Sequence, residues 1–466
     1  MICSKRIPMD LETPVSAFFK LQPLEPIFLL ESVEGGELIG RYSFIGLKAL
    51  YKIEIYPNHI IITQGKNKNT RNFTDEPFNE LRKIAKEMED KFHTIENEQV
   101  DDLPRLKSGM VGYCSYDIVR YIEKLPDISV DKNKLPLAVL TVPEAILAFD
   151  HVQKDIKLIT ALSDYDSNSL LNEIKLLFKR YIEITDNGTF SEPVFNHSNK
   201  KFFSMVNKAK GYIFNGDAYQ IVLSIKFEGK ANIEPIQVYR GLRMINPSPY
   251  MFFLNFDNIK IVGSSPEVLV RVENNEILER PIAGTRQRGK NKEQDIEFEK
   301  ELLMSEKDKA EHVMLVDLAR NDIGKIAVPT TEKVSQLMKV ERFSHVMHLV
   351  SIVSGELKPG YDIYDAFKAT FPAGTVTGAP KIRAMEIIEE LEEEKRGPYA
   401  GSVGYFTFDN TMDQAINIRS ILFHNDDYVI QAGAGIVADS EPEREYDEIT
   451  NKGKALFSAL KLAKEL

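Results

Sequence analysis

The sequence predicts an α+β fold in which the strands pair antiparallel. Apolar runs typical of strands follow one another in hairpin-like series, for example at residues 250–265 and 267–280, without the strand–helix alternation of a parallel sheet. Amphipathic segments with a helical period separate these series. The chain has 466 residues, of which 43% are hydrophobic, so it can bury a large core.

Residues 1–185 are expected to form an N-terminal region of short strands with a few helices. The predicted elements are a hairpin at 49–67, an amphipathic helix at 78–92, two strands within 138–162 and a polar helix at 168–184. The hairpin turns at Pro57 and Asn58, because proline and asparagine favour tight turns. Residues 186–198 are polar and contain glycine and proline, which predicts a linker.

Residues 199–466 are expected to form a second region. Predicted helices lie near 198–215, 295–320, 342–351, 379–394 and 443–464, and predicted strands near 218–229, 250–265, 267–280, 401–409 and 414–437. The turn inside 267–280 is placed at Asn274 and Asn275, since asparagine tolerates left-handed backbone.

Composition excludes several classes of function. The net charge is −11 and basic residues are scattered, so no nucleic-acid-binding face is expected. With only Cys3 and Cys114, the chain has neither a disulfide framework nor a cysteine metal cluster, which fits the reducing cytoplasm. No apolar run reaches the length of a membrane span, and the first residues lack the apolar core of a signal peptide.

Two predicted helices carry paired carboxylates. Asp308 and Glu311 lie three residues apart, and Glu445, Glu448 and Lys452 fall on one face of the final helix. Two such pairs would suit Mg²⁺, which takes oxygen ligands and retains waters. On spacing alone, two solvated helix faces explain them equally well.

Other candidates are single residues and loops. Glu267 follows a proline and leads into an apolar strand; burial would raise its pKa and suit it to general-acid chemistry, whereas a strand-edge position would leave it an ordinary surface residue. His348 lies in an apolar segment predicted as helix, where a core role is the alternative. Residues 281–289, "PIAGTRQRG", and 371–386, "FPAGTVTGAPKIRAME", form loops that could bind an anion, although neither is a phosphate-binding motif.

Taken together, these segments resemble the chorismate-utilising enzymes over the last 270 residues or so. The matching blocks are "GDAYQIVLS", "GSSPEVLVRV", "RPIAGTRQRG", "AEHVMLVDLARNDIGK", "VMHLVSIVSGEL", "ATFPAGTVTGAPKIRAMEII", "RGPYAGSVGYF", "AINIRSI" and "AGAGIVADSEPEREYDEITNKGKAL". The resemblance implies an antiparallel two-sheet sandwich flanked by helices.

The resemblance also implies roles for individual residues. Mg²⁺ would be held by Glu311 and Glu448, with Asp308 and Glu445 close by; the family more often has glutamate at the place of Asp308. Glu267 would be the general acid, His348 would assist aromatisation, and Thr285 would assist in binding substrate. The remaining substrate-binding residues that the resemblance implies are Gln220, Gly284, Gly378, Tyr399, Arg419, Gly433 and Lys452. Arg286 and Arg288 are expected to support the 281–289 loop structurally.

Two positions separate the branches of the family. Branches that add water carry a lysine where this chain has Gln220, and the branch making 4-amino-4-deoxychorismate carries one where this chain has Ala283. A methyl group can neither attack nor deprotonate. The resemblance therefore implies direct attack by ammonia and formation of anthranilate, the first committed step of tryptophan biosynthesis. Enzymes that stop at an amino-chorismate, and a non-catalytic sensor of chorismate or tryptophan, remain alternatives.

The N-terminal region resembles the tryptophan feedback site of the anthranilate-forming branch. The residues that carry this resemblance are Leu30, Glu31 and Ser32 in "LLES" and Pro249, Tyr250 and Met251 in "NPSPYM". No cysteine lies in a glutaminase motif, so a separate glutamine amidotransferase subunit is the expected source of ammonia. The expected ligands are thus chorismate, ammonia, Mg²⁺ and L-tryptophan, with neither nucleic acid nor membrane.

Overall fold

The computed structural model describes residues 2–8, 11–32, 40–74, 76–89, 103–183, 188–343 and 346–466. Its strands are β1 (Cys3–Pro8), β2 (Pro26–Glu31), β3 (Tyr42–Ile55), β4 (His59–Gln64), β5 (Asn67–Asn72), β6 (Met110–Cys114), β7 (Ala138–Asp150), β8 (Asp155–Thr160), β9 (Thr189–Phe190), β10 (Val194–Phe195), β11 (Gln220–Asn232), β12 (Tyr250–Phe256), β13 (Ile259–Ser265), β14 (Val268–Glu273), β15 (Glu276–Glu279), β16 (Ile282–Gln287), β17 (Lys333–Arg342), β18 (Val346–Glu356), β19 (Gly378–Ala379), β20 (Ser402–Phe406), β21 (Met412–Ile416), β22 (Ser420–His424) and β23 (Asp427–Ile436).

The helices are α1 (Pro14–Lys20), α2 (Pro77–Glu89), α3 (Asp164–Phe178), α4 (Asn199–Phe214), α5 (Pro235–Ile245), α6 (Lys292–Met304), α7 (Glu306–Ile326), α8 (Ile363–Thr370), α9 (Lys381–Leu391) and α10 (Pro442–Ala463). Short 3₁₀ turns occupy Gln22–Leu24, Tyr116–Tyr121 and Gly374–Val376. None of the described helices combines the length and apolarity that crossing a membrane requires.

The strands form two antiparallel sheets that share two long strands. The first sheet runs in the order β1, β8, β7, β3, β2, β12, β13, β22, β23, β11. The second runs β5, β4, β3, β7, β6, β20, β21, β14, β15, β18, with β16 and β17 also paired to β18. A bulge between Ala49 and Tyr51 separates the half of β3 in one sheet from the half in the other.

Successive side chains along the strands point to opposite faces, and those on the inner faces form the core between the sheets. On β12, Phe252 and Leu254 point toward apolar residues of both sheets, whereas Met251 and Phe253 pack beneath the helices that cover the first sheet. Helices α2, α7 and α8 cover the outer face of the second sheet. The structure therefore confirms an α+β sandwich flanked by helices.

Strands from the predicted N-terminal region complete both sheets. β2 pairs with β12, and β6 pairs with β20. The predicted linker contains β9 and β10, which pair with β11; its first two residues, and the boundary at residue 185, lie outside the described residues.

Four predicted helices differ from the observed ones, and the one predicted at 168–184 is α3, Asp164–Phe178. The segment predicted as a helix at 342–351 forms β18, which lies between β16 and β17 and is apolar on both faces, so no period was readable. The helix predicted at 295–320 is two helices, divided at Ser305, whose hydroxyl accepts a hydrogen bond from the Asp308 amide at 3.2 Å and caps α7. The helix predicted from residue 379 begins at Lys381.

Candidate active site and a second pocket

A large pocket, with a volume of about 1220 Å³, opens where β11 and β23 face α7 and α10. Several residues predicted from the sequence line it: Gln220, Glu311, Tyr399, Arg419, Gly433, Glu445, Glu448 and Lys452. They come from segments more than 200 residues apart in the chain. Concave sites with a few convergent polar groups are where small molecules bind.

Glu267 is a buried acid between β13 and β14. Its side chain is 8% exposed, and burial raises its pKa from 4.5 to about 8, opposed by the nearby Thr375 hydroxyl and by the charge of Arg419. A carboxyl group with this pKa is protonated at neutral pH and can donate a proton. The surface alternative for Glu267 is therefore wrong.

Arg419 is a cation that lacks a protein partner. Its guanidinium lines the pocket and makes no hydrogen bond or ion pair with any described residue, and burial lowers its pKa. Its backbone is left-handed, with φ of 51°. Burying a charge without a partner is costly, so such a group suits an anionic ligand.

His348 lies on β18, not on a helix, and is held in one tautomer. Its Nδ1 donates to the Gly284 carbonyl at 2.9 Å and lies 3.1 Å from the Thr285 hydroxyl, its cross-strand neighbour. Burial lowers its pKa, so the ring is neutral near pH 7 and Nε2 is the basic nitrogen. Gly284 provides this carbonyl at a bulge with φ of 66°, a conformation that favours glycine.

The four predicted acidic residues differ in their environments. The pKa of Glu311 is raised by burial and by the charges of Asp308 and Glu448, and burial also raises the pKa of Glu445. Asp308 forms an ion pair with Arg286 at 2.9 Å, and Glu448 forms one with Lys452 at 2.7 Å. Asp308 is therefore already neutralised by the protein.

These carboxylates fit a magnesium ion that keeps most of its waters. Within the described residues, no three acidic, histidine or cysteine side chains gather into a complete ligand set. Glu311 and Glu448 nevertheless line one pocket and repel each other electrostatically, and Mg²⁺ often takes only one or two protein carboxylates beside water and substrate.

Two glycines leave room for their neighbours. A Cβ on Gly433 would lie 2.7 Å from the Tyr399 hydroxyl and 2.9 Å from the Leu223 carbonyl. A Cβ on Gly378, which has φ of 132°, would lie 2.0 Å from the Gln220 carbonyl. Gly433 thus shapes the pocket wall, whereas Gly378 packs behind it against β11.

Not every predicted residue lines the large pocket. Glu267 lines a small cavity next to it, and Asp308, Gly284, Thr285, His348 and Gly378 lie outside its lining. Ala283 is 8% exposed and pairs with Leu349. As predicted, Arg288 is structural, since it binds Asp295 through two hydrogen bonds of 2.9 and 3.0 Å.

The six residues predicted for tryptophan line a second pocket, of about 360 Å³: Leu30, Glu31, Ser32, Pro249, Tyr250 and Met251. Glu31 is 5% exposed, and its Oε1 accepts a hydrogen bond from Tyr239 at 2.6 Å and lies 3.1 Å from Arg243. The buried Ser32 hydroxyl has no hydrogen-bond partner among the described residues.

Sequence reasoning missed a buried triad in this pocket. Arg271 donates to Asp413 at 3.0 Å and to the Tyr250 hydroxyl at 3.0 Å, and Tyr250 donates to Asp413 at 3.1 Å. Asp413 lies on β21; Arg419, in the large pocket, follows three residues after that strand ends. No sequence signal joined residues 250, 271 and 413, because strand pairing alone brings them together.

Comparison with known proteins agrees with this geometry. A family model described as chorismate binding enzyme matches residues 28–458. Anthranilate synthase component 1 of Aquifex aeolicus is 44% identical over 98% of this chain and 94% of its own length, and the Thermus thermophilus protein of the same name is 41% identical over 97% and 96%.

Solved structures of chorismate-utilising enzymes share the fold of this chain. The crystal structure of anthranilate synthase component I from Streptococcus pneumoniae superposes with a TM-score of 0.79 at 34% identity, covering 97% of this chain and 99% of that one. The isochorismate synthase MenF of Escherichia coli, at 19% identity and a TM-score of 0.73, shares the fold over 99% of this chain and 95% of its own. This chain belongs to the chorismate-binding enzyme family.

Proposed function

We propose that this chain converts chorismate and ammonia to anthranilate and pyruvate, the first committed step of tryptophan biosynthesis. The observation that carries the proposal is that Arg419, which lines the pocket without a protein partner, lies near the protonated Glu267, because one binds an anion and the other supplies a proton. The extent of identity to proteins named anthranilate synthase component 1 supports the same reaction.

Substrate binding would rest on the cationic and hydroxyl groups of the large pocket. Chorismate carries two carboxylates. Arg419, the Tyr399 hydroxyl and Lys452 are the donors that would receive them, with Lys452 exchanging its contact with Glu448. Glu311 and Glu448 would hold Mg²⁺, which when bound offsets the negative charge of the ring carboxylate.

The first chemical step would use Glu267. The ammonia lone pair forms a bond to C2 of the ring, the ring double bonds shift, and the C4–oxygen bond breaks. Glu267 gives its proton to the departing hydroxyl, which leaves as water, and the C2 ammonium group formed by the attack releases one proton to solvent. Neither Gln220 nor Ala283 can act as a base, so the nucleophile must arrive as neutral ammonia.

The second step would use His348. Its Nε2 removes the proton from C2, the ring becomes aromatic, and the C3–oxygen bond breaks. The departing enolate takes a proton back from the imidazolium and leaves as the enol of pyruvate. The Gly284 carbonyl fixes the tautomer that this step requires. Thr285, beside the same ring nitrogen, would help to hold the ring in place.

Regulation and ammonia supply complete the proposal. L-Tryptophan would bind in the second pocket, with its ammonium group on Glu31 and its indole against Tyr250 and Met251. The relatives' designation as component 1 supports a second component, and we propose that a glutamine amidotransferase subunit supplies ammonia, with both acting in the cytoplasm.

A fluorescence assay tests the whole proposal. The purified chain, chorismate, Mg²⁺ and excess ammonium at mildly alkaline pH are expected to produce anthranilate, and EDTA or tryptophan is expected to stop it. Excess Mg²⁺ should reverse EDTA but not tryptophan. Chorismate consumed without anthranilate would indicate an amino-chorismate product, and no consumption would indicate a sensor.

A further inference from the structure

A small cavity adjoins Glu267 and shares part of its lining with the large pocket. Its volume is about 30 Å³, and its lining includes Glu267, Glu279, Asp322 and Thr375. Glu279 is the last residue of β15, and Asp322 lies on α7 and is 4% exposed. Neither Glu279 nor Asp322 was singled out from the sequence.

Two buried polar atoms around this cavity are unsatisfied. Glu279 Oε1 and the Thr375 hydroxyl oxygen have no hydrogen-bond partner of normal geometry among the described residues. Buried polar groups are usually hydrogen-bonded, and a cavity above about 10–15 Å³ with at least two polar partners can hold a water. With Glu267, the cavity offers the polar atoms that one or two waters need.

The cavity also communicates with the outside. Asp322 and Thr375 line both the cavity and the large pocket. Asp322 forms ion pairs with Lys325, at 3.1 Å, and with Lys381, and the Lys325 side chain is 55% exposed. The charged groups facing Glu279 are therefore Asp322, Lys325, Lys381 and Glu267.

The proposed reaction consumes one proton from Glu267 in every cycle. Glu267 must therefore regain a proton before the next turnover, and the small cavity joins its carboxyl group to that of Glu279. We infer that Glu279 reprotonates Glu267 through water held in this cavity. This inference rests on the proposed function, in which Glu267 is the general acid.

The transfer is balanced and needs no other reactant. The Glu267 carboxylate takes a proton from the cavity water, and that water takes one from the Glu279 carboxylic acid. The Glu279 carboxylate then regains a proton from solvent along the Asp322 and Lys325 side. Burial and the charge of Asp322 hold the pKa of Glu279 well above its usual range, so Glu279 has a proton to give at neutral pH.

The test compares Glu279→Gln with Glu276→Gln, an exposed glutamate at the other end of the same strand. In rapid-mixing experiments, Glu279→Gln should make its first anthranilate per site at the wild-type rate, because Glu267 begins protonated. Later turnovers should be at least tenfold slower, with an increased solvent deuterium isotope effect and an unchanged KM for chorismate. Glu276→Gln should match wild type.

Four results decide between these possibilities. Equal rates for the first and later turnovers of Glu279→Gln would overturn the inference, and so would an unchanged isotope effect. If Glu279→Gln does not fold, Thr375→Val replaces it in the test. Thr375→Val should then show a fast first turnover followed by slower ones, and normal later turnovers of this variant would overturn the inference. Failure of wild type and Glu276→Gln to make anthranilate would instead refute the proposed function.

Discussion

Replacing Glu267 with glutamine is the most direct test of the chemistry. With a pKa of about 8, roughly nine in ten Glu267 side chains are protonated at pH 7, whereas an ordinary pKa of 4.5 would leave about one in 300 protonated. Burial thus provides almost all of the usable acid. General acids contribute about 10²- to 10⁴-fold to rates, so Glu267→Gln should lower kcat by that factor with little change in KM.

The pH dependence of activity tests whether Glu267 acts in its protonated form. Wild-type activity should fall as the pH rises through about 8, because the active form is the protonated one. Thr375, Arg419 and Glu279 face this carboxyl group and determine the pH at which activity falls. The residual activity of Glu267→Gln should not show this fall in activity near pH 8. Anthranilate fluorescence measured from pH 6 to 9.5 would test this. Activity within threefold of wild type, or an unchanged fall near pH 8, would refute the reasoning.

The raised pKa of Glu267 also makes the free energy of unfolding depend on pH. Because the native pKa lies above the unfolded value, wild-type stability from this group is lost as the pH rises from about 4.5 to 8. A shift from 4.5 to about 8 corresponds to at most about 5 kcal/mol at 1.4 kcal/mol per pKa unit. Denaturant unfolding should therefore show Glu267→Gln gaining stability relative to wild type with rising pH, which separates lost chemistry from misfolding.

The remaining predictions concern binding, shape and regulation. Arg419→Gln should raise the KM for chorismate about 10- to 100-fold, because a charge-assisted contact of 1.5–3 kcal/mol is lost; an unchanged KM in steady-state assays would contradict its role. Gly433→Ala should abolish activity, since the new methyl would meet the Tyr399 hydroxyl at 2.7 Å. The control Gly324→Ala on α7, where the nearest atom is a Glu332 carboxylate oxygen at 3.7 Å, should retain activity. Ser32→Ala should weaken tryptophan inhibition at least tenfold without altering the chorismate KM; inhibition curves identical to wild type would place the inhibitor elsewhere.

Local signals predicted much of the fold. The Pro57 and Asn58 turn was found where predicted, since β3 ends at Ile55 and β4 begins at His59. Asn274 and Asn275 both have left-handed backbone, as expected for their turn. These elements were predictable because turn chemistry is encoded within a few residues.

Tertiary burial explains the errors. β18 was predicted as a helix because a strand that lies between two others and is covered on both faces lacks a regular alternation of apolar and polar residues. The site was likewise predictable only in part. Spacing and resemblance identified Glu267, Glu311 and Arg419, whose roles remain predictions. The unsatisfied Thr375 hydroxyl could not be predicted, because its surroundings are assembled from distant segments.

One short segment of the chain, β21 and the residues directly after it, lines both pockets. Asp413 and Ala415 of β21 line the second pocket, and Ile418 and Arg419, a few residues further along the same segment, line the first. At about 3.3 Å per residue, Asp413 and Arg419 are separated by no more than about 20 Å of chain. Linkage then makes inhibition reciprocal: if tryptophan weakens chorismate binding through this segment, bound chorismate must weaken tryptophan binding by the same factor. A cell rich in chorismate would therefore need more tryptophan to stop the enzyme.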